Sequence, residues 1–231
     1  MFWDGALLRQ GCQFPVNWDY VHCPHALCVG PTGSGKTYAE KLILGRIAKY
    51  IPNAKITVLD FKADDYNFLR GCGGHCEFID CVQGLDNFYH AFLARMQGNN
   101  LDRSFRLVVI EELSSLLNTL DKKEAEAVKR QVATLLMLGR SFNFHVLVSQ
   151  QRADASYFAA GARDNFSIMI LMGNVSREAA TMAGVSKDEL QPISGIGAGY
   201  MLTNGTDLRE IQVPTVRNFA RLEDAIRAIV K

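Results

Sequence analysis

One octapeptide restricts the possible folds of this 231-residue chain more than any other feature. Residues 30–37 read Gly-Pro-Thr-Gly-Ser-Gly-Lys-Thr and match the pattern G-x-x-x-x-G-K-[ST]. An apolar segment, Ala26–Gly30, comes directly before the loop, and helical spacing begins at Lys36. Glycines let such a loop bend closely around phosphates, so that backbone N–H groups and a helix N-terminus face the negative charge. The sequence therefore predicts a strand–loop–helix unit that binds a nucleotide.

This loop also predicts the cofactors. Lys36 is expected to reach the β- and γ-phosphates of ATP, and Thr37 to ligate Mg²⁺. A glycine-rich turn without a ligand is the weaker interpretation because the pattern is complete and lies in the required context. The predicted nucleotide-binding residues are Gly30, Pro31, Thr32, Gly33, Ser34, Gly35, Lys36 and Thr37.

Short apolar runs alternate with helical patterns along the chain, which predicts the α/β class with a mostly parallel twisted sheet and helices on both faces. The predicted strands are Ala26–Gly30, Ile56–Asp60, Glu77–Ile79, Leu107–Glu111, His145–Ser149 and Ser167–Met172. The predicted helices are Lys36–Tyr50, Asp86–Met96, Lys122–Leu138, Arg177–Met182 and Leu222–Val230. A C-terminal antiparallel hairpin is expected where Gly199–Leu202 and Leu208–Val213 flank Asn204-Gly205.

Length and composition predict one domain with an extension. With 48% hydrophobic and 21% charged residues, the chain can bury a full core. Residues 25–231 are expected to form the nucleotide-binding domain, and residues 1–24 to pack on it or at a subunit interface. Because the formal net charge is only +1, any nucleic-acid site must be a local patch. No apolar run approaches the roughly 20 residues of a membrane helix, which favours a cytoplasmic location.

The six cysteines are too unevenly spaced for a disulfide scaffold, which fits a reducing compartment. Cys72, His75, Cys76 and Cys81 offer zinc-type ligands. They lack the paired C-x₂-C spacing that would make a zinc site a strong prediction. Buried or loop thiols are the favoured interpretation.

A second strand delivers acidic groups. Leu107–Ile110 is apolar and ends in Glu111 and Glu112. Glu111 is the expected partner of Mg²⁺, and Glu112 is expected to orient or deprotonate the attacking water. The alternative is that the two carboxylates only cap the following helix, which the helix dipole also favours.

A third apolar strand, beginning at His145, ends in the amides of Gln150 and Gln151. A glutamine amide can position water without titrating. Polar strand ends are common, so the residues alone leave open whether either amide acts in the chemistry.

Together these motifs resemble the FtsK/SpoIIIE branch of the FtsK–HerA superfamily of P-loop ATPases. The similarity extends from about His25 to Val213. It is carried by His25–Thr37, Ile56–Lys62, Leu107–Glu112, Leu138–Arg152, Val175–Glu178 and Gly195–Met201. The glutamate at position 111 departs from the family's usual aspartate.

The resemblance implies a RecA-like homohexamer that hydrolyses ATP between subunits and translocates double-stranded DNA. It matches Gln151 to the family's sensor glutamine. It also implies an arginine finger supplied in trans, for which Arg140 is the first candidate and Arg163 and Arg177 are alternatives. Since the chain resembles the motor domain alone, a recruiting protein and a mobile element, in conjugative transfer or DNA packaging, are expected.

DNA contacts are expected on the channel-facing loops 118–123 and 152–163, with Lys122, Lys123 and Arg152 as phosphate contacts. A single-strand-pumping coupling protein and a viral genome-packaging ATPase are the alternatives within this class. A small P-loop kinase or a nucleotide-switched scaffold would be an alternative of another class. The Glu111-Glu112 pair argues against the scaffold.

Overall fold

The computed structural model describes residues 1–152, 154–158, 161 and 163–231. Its strands are β1 (Phe2–Asp4), β2 (Pro15–Val16), β3 (Ala26–Val29), β4 (Lys55–Asp60), β5 (His75–Glu77), β6 (Arg106–Glu111), β7 (Phe144–Gln150), β8 (Ile168–Met172), β9 (Ala198–Thr203) and β10 (Asp207–Gln212). Its helices are α1 (Gly5–Arg9), α2 (Lys36–Tyr50), α3 (Asp80–Met96), α4 (Leu113–Thr119), α5 (Lys122–Leu138), α6 (Arg177–Ala183) and α7 (Phe219–Ile229).

One mixed sheet joins all of these strands, in the order β2-β1-β10-β9-β8-β3-β7-β6-β4-β5. The six strands from β8 to β5 are parallel, and β3 lies between β7 and β8. Parallel strands place their carboxyl ends at one edge of the sheet, and ligands of open α/β sheets bind at that edge. This arrangement confirms the predicted α/β class.

Helices cover both faces of the sheet. Side chains of α2 and α7 pack on one face, whereas those of α3, α4, α5 and α6 pack on the other. The central strands are buried on both faces, which explains why they read as continuous apolar runs instead of alternating patterns. Each fully buried aliphatic or aromatic side chain contributes about 1.5–3 kcal/mol of transfer free energy.

The other edge of the sheet is antiparallel. β9 pairs with β8, and β9 and β10 form the predicted C-terminal hairpin. Asn204 and Gly205 have positive φ at its turn, as the Asn-Gly pair predicts. Beyond β10 the sheet continues with β1 and β2, so residues of the N-terminal extension extend the sheet. Strands of three and two residues are too short to show an alternating pattern, so the sequence does not predict them.

Two predicted boundaries near the fifth strand were wrong. The strand is His75–Glu77, not Glu77–Ile79, because Phe78 adopts a φ of 48° that ends the extended run. The next helix begins at Asp80, not at Asp86. Gly84 lowers the helix propensity of the turn that was not predicted. Glycine is required there, because a Cβ at this position would lie only 2.6 Å from Cys76 Sγ.

Within the described residues, no helix is long and apolar enough to cross a membrane.

Candidate active site

The phosphate-binding loop leaves β3 at the carboxyl edge of the parallel strands and enters α2 at Lys36. Gly33 and Gly35 have φ of 81° and 90°, values that L side chains rarely adopt. The 15-residue helix α2 begins directly at the loop, so its N-terminal N–H groups face the space where phosphates would lie. The loop therefore has the geometry that its sequence predicts.

Lys36 lies in a buried polar cluster. Its Nζ donates to Glu111 Oε2 at 3.2 Å and to Ser149 Oγ at 2.5 Å. Glu40 Oε1 lies 3.6 Å away, one helical turn along α2. Ser149 in turn donates to Glu40 Oε1 at 2.6 Å. One ammonium thus faces two carboxylates, contributed by α2 and β6, and β7 supplies the hydroxyl between them.

Burial and charge set the protonation states of this cluster. Burial raises the pKa of Glu111 well above its ordinary value, Glu40 raises it further, and Lys36 offsets only part of this. Burial also opposes ionisation of Glu40, but Lys36 and the hydrogen bonds from Glu111 and Ser149 hold its pKa below the ordinary value. Although burial acts to lower the pKa of Lys36, the two carboxylates raise it overall. Lys36 is therefore charged, Glu40 is ionised, and Glu111 retains a proton readily.

The two consecutive glutamates have different partners. Glu111, the last residue of β6, hydrogen-bonds with Lys36 of α2. Glu112 follows the strand and is buried, with its Oε1 3.3 Å from Lys62 Nζ. Glu112 has φ of 53° and ψ of 52° directly before α4. A non-glycine residue in this region costs free energy and is found preferentially at functional sites.

The chemistry of the cluster fits ATP with Mg²⁺. Glu111 Oε1 and Ser34 Oγ are buried and form no hydrogen bond with any described residue, so each has capacity for a ligand or its water shell. Thr37 Oγ1 donates to Asp65 Oδ1 at 3.3 Å, which holds the hydroxyl beside the loop. Oxygen ligands of this kind suit Mg²⁺, which keeps several waters and binds through few protein groups.

A cleft of about 1220 Å³ opens beside the start of the loop. Gly30, Pro31 and Glu112 lie on its wall together with Gln151, which is exposed. Gln150 is buried instead, and neither atom of its amide forms a hydrogen bond with a described residue. Gln151 is thus the glutamine that lines the cleft, and its role as the sensor stays a prediction.

The predicted arginines lie in different places. Arg177, at the start of α6, and Arg152 line the same cleft as Glu112. Arg140 is exposed in a 3₁₀ turn before β7. Because β7 spans seven residues, or about 23 Å, Arg140 is remote from the loop of its own chain. The side chain of Arg163 lies outside the described structure.

The predicted DNA-binding lysines, Lys122 and Lys123, are exposed in the first turn of α5. Asp121 and Glu124 form a capping box around them, so the local charge is balanced. Arg152 is also exposed. The loop 152–163 lies only partly within the described residues, because positions 153, 159, 160 and 162 fall outside them.

The cysteine–histidine segment lies at the β5 edge of the sheet. Cys81 is buried and donates to the Cys76 carbonyl at 3.4 Å, and burial raises the pKa of its thiol. In the part of the chain that the structure describes, no three His, Cys, Asp or Glu side chains form a group that could hold a metal ion.

Sequence reasoning missed three polar residues of the site: Glu40, Ser149 and Asp65. Glu40 stands four residues after Lys36 on the same helix face. This spacing was a usable signal, since a carboxylate on an otherwise apolar face needs a partner. Asp65 gave no such signal, because it lies on a turn whose path depends on tertiary contacts.

His25, which precedes β3, has a structural role. It accepts a hydrogen bond from the Val146 N–H at 3.1 Å, and burial lowers its pKa to about 3.

Comparison with known proteins matches residues 5–153 to the model of the HerA helicase central domain. The chain belongs to this family. The prediction of a P-loop ATPase of the FtsK–HerA superfamily is therefore confirmed. Among curated proteins, the FtsK domain-containing protein YdcQ of Bacillus subtilis is 26% identical over 184 residues, covering 70% of this chain and 36% of YdcQ.

Solved structures show the same fold for this HerA-type domain. The cytoplasmic domain of the Thermomonospora curvata type VII secretion ATPase EccC matches with a TM-score of 0.74 and 19% identity, covering 100% of this chain and 30% of that one. The pCW3 conjugation coupling protein TcpA, in a monomer form with ATPγS, matches with a TM-score of 0.72 and 19% identity, covering 85% of this chain and 62% of TcpA. The genome packaging NTPase B204 of Sulfolobus turreted icosahedral virus 2 matches with a TM-score of 0.53 and 11% identity, covering 83% of this chain and 97% of B204. The chain thus spans about a third of YdcQ and of EccC.

Proposed function

We propose that this chain is the motor domain of a ring ATPase that moves double-stranded DNA with the energy of ATP hydrolysis. The observation that carries the proposal is the pairing of a complete phosphate-binding loop with Glu112 on the wall of an open cleft. Such a site can hydrolyse ATP, and the open cleft leaves room for groups from a neighbouring subunit.

In the proposed reaction, Lys36 moves from its carboxylate partners to the β- and γ-phosphates. Glu112 accepts a proton from the attacking water, and the Gln151 amide positions that water. Thr37 and Glu111 would hold Mg²⁺, which neutralises charge on the phosphates when bound. Glu111 would contact the ion through one of the waters that Mg²⁺ keeps.

A ring with ATP between subunits is supported by the position of Arg140. A guanidinium group stabilises the charge that develops on a transferring phosphoryl group better than lysine does. Arg140 is too far from its own loop to do so, but a neighbouring subunit can present it. Arg177 is the alternative, because it already lines the cleft of its own chain. A homohexamer is the proposed assembly.

DNA would lie in the ring channel and contact exposed basic side chains, with Lys122, Lys123 and Arg152 as the candidates. Six copies of a weak basic patch would bind DNA phosphates without recognising the base sequence, which fits the net charge of only +1 for one chain.

TcpA is a conjugation coupling protein and B204 is a genome packaging NTPase. These matches support a role in a mobile element, with a recruiting protein that selects the DNA.

The first prediction concerns nucleic-acid stimulation. Long double-stranded DNA is expected to raise the ATPase rate about tenfold or more, and the effect should fade from low to moderate salt because phosphate contacts dominate. The measurement compares the steady-state rate without nucleic acid, with single strands and with duplex, at protein concentrations that allow rings to form. Selective stimulation by single strands would instead indicate a coupling protein. An unchanged rate with both would contradict a DNA motor.

The second prediction separates a trans arginine from a cis arginine. Arg140→Ala chains and Lys36→Ala chains should each be inactive, yet a mixture should recover activity, because some sites then combine an intact Lys36 with a neighbour's intact Arg140. The matched control is Arg177→Ala, which cannot be rescued in the same mixture if Arg177 acts within its own chain. Failure of the Arg140 mixture at every ratio, in rings of normal size, would reject Arg140 as the finger.

A further inference from the structure

A second segment, residues 193–198, lies against the phosphate-binding loop and does not line the Glu112 cleft. Gly197 N–H donates to the Ser34 carbonyl at 2.9 Å. A Cβ built on Gly35 would lie 3.0 Å from Gly197 N and 3.3 Å from Ile196 Cγ2. The residues before β9 therefore touch the loop where it turns into α2.

Within this segment, the backbone conformation leaves the side chain of Ile196 exposed. Its side chain is 78% exposed, whereas Ile193 and Ala198 on either side of it are only 8% and 6% exposed. Gly195 and Gly197 have φ of 93° and 81°, which turn the backbone so that the side chain between them faces outward. A single exposed aliphatic residue is ordinary on a protein surface. Here, however, it is fixed beside a ligand-binding loop.

Hydrogen bonds make the position of Ile196 rigid. Val213 N–H donates to the Gly197 carbonyl at 2.8 Å, and the Gln212 amide donates to the Ile196 carbonyl at 3.4 Å. The segment that follows β10 is tied to α2 as well, because Val216 N–H donates to Tyr38 Oη at 2.6 Å. A rigid support costs little conformational entropy when a ligand binds, which suits a recognition surface.

The direction of the nucleotide follows from the two sides of the loop. Glu112, the proposed base, and the cleft lie beside Gly30 and Pro31, so we infer that the γ-phosphate points to that side. The nucleoside then leaves the loop on the other side, past Gly35 and the start of α2. Ile196 does not line the cleft and lies next to Gly35 instead, where it would be 3.3 Å from a Cβ built on that glycine.

We propose that Ile196 forms the apolar surface against which the purine base of ATP packs. The inference rests on the proposed ATP binding and adds a base-binding residue to it. A flat base presents an apolar face that gains free energy when it leaves water, and a branched aliphatic side chain offers a matching surface. The phosphates are bound by the loop, so Ile196 contributes to affinity only through the nucleoside.

The test uses two ligands that share phosphates but differ in the base. Ile196→Ser should raise the Kd of Mg-ATP about tenfold. The Kd of magnesium tripolyphosphate should stay within about twofold, because it has no base. Ile196→Val, which keeps an aliphatic surface, should bind ATP almost as wild type does. Leu101→Ser is the matched control, since Leu101 is 82% exposed and lies before β6; it should change neither constant.

Equal weakening of both ligands would overturn the proposal, because Ile196 would then only support the loop. Unchanged ATP affinity in Ile196→Ser would overturn it too, and altered sedimentation of that variant would then assign Ile196 to contact with a second copy of the chain. Thermal unfolding of each variant verifies that the fold is retained. If wild-type protein bound neither ligand, the proposed ATP binding itself would have failed, which is a separate result.

Discussion

Glu112→Gln is expected to lower kcat for ATP hydrolysis about a thousandfold, while the Kd of ATP stays within about threefold. Glutamine has the shape of glutamate but cannot accept a proton from water. Because Glu112 lies on the cleft wall and forms its ion pair with Lys62, not with Lys36, its substitution should leave the phosphate contacts intact. Single-turnover hydrolysis and equilibrium ATP binding, measured on the same preparation, separate the two effects.

A second carboxylate in the same cleft provides the control for this prediction. Glu178 is exposed in the first turn of α6 and lines the cleft. Glu178→Gln makes the same chemical change without touching the proposed base, so its kcat should remain within about threefold of wild type. If Glu112→Gln turned over ATP at a rate near that of Glu178→Gln, Glu112 would not be the base.

What the sequence predicts well is local. The eight-residue loop, the strand before it and the helix after it are contiguous, so a pattern of spacings describes them completely. The same holds for Glu111 and Glu112, since the end of a buried strand places them at the carboxyl edge of the sheet. Helix α2 was predicted with the bounds that the structure has, because the phosphate-binding loop fixes its start at Lys36 and Pro52 follows closely after its end at Tyr50.

What the sequence does not predict is created by tertiary contact. Ser149 reads as one more residue of an apolar strand, and only the parallel pairing of β7 with β3 and β6 brings it to Lys36. β1 depends on β10 as a partner, which is distant along the chain, and β2 pairs with β1. Ile196 belongs to a glycine-rich turn whose position over Gly35 follows from the β8–β9 pairing.

Lys36→Met is expected to destabilise the nucleotide-free protein by about 3 kcal/mol, in addition to removing ATP binding. The wild-type ammonium compensates the buried charge of Glu40 and donates a hydrogen bond to the carboxyl group of Glu111. Methionine fills similar volume but leaves the Glu40 charge without a counter-ion. Urea unfolding at neutral pH measures the change. Lys129→Met is the matched control: its partner Glu126 is 54% exposed, so the loss should stay below about 1 kcal/mol.

A double-mutant cycle assigns the instability to charge. In Lys36→Met/Glu40→Gln, one carboxylate has been removed and a neutral amide still accepts from Ser149, so much of the lost stability should return.

The stability lost in Lys36→Met should also depend on pH, with a defined sign. Burial already raises the pKa of Glu111 above its ordinary 4.5, and loss of Lys36 raises the pKa of both carboxyls further. An acid with a raised pKa in the folded state loses stability as the pH rises above its unfolded pKa, so the Lys36→Met deficit should grow from about pH 5 to about pH 8. A deficit independent of both pH and Glu40 would mean that lysine packing, not its charge, supports the site.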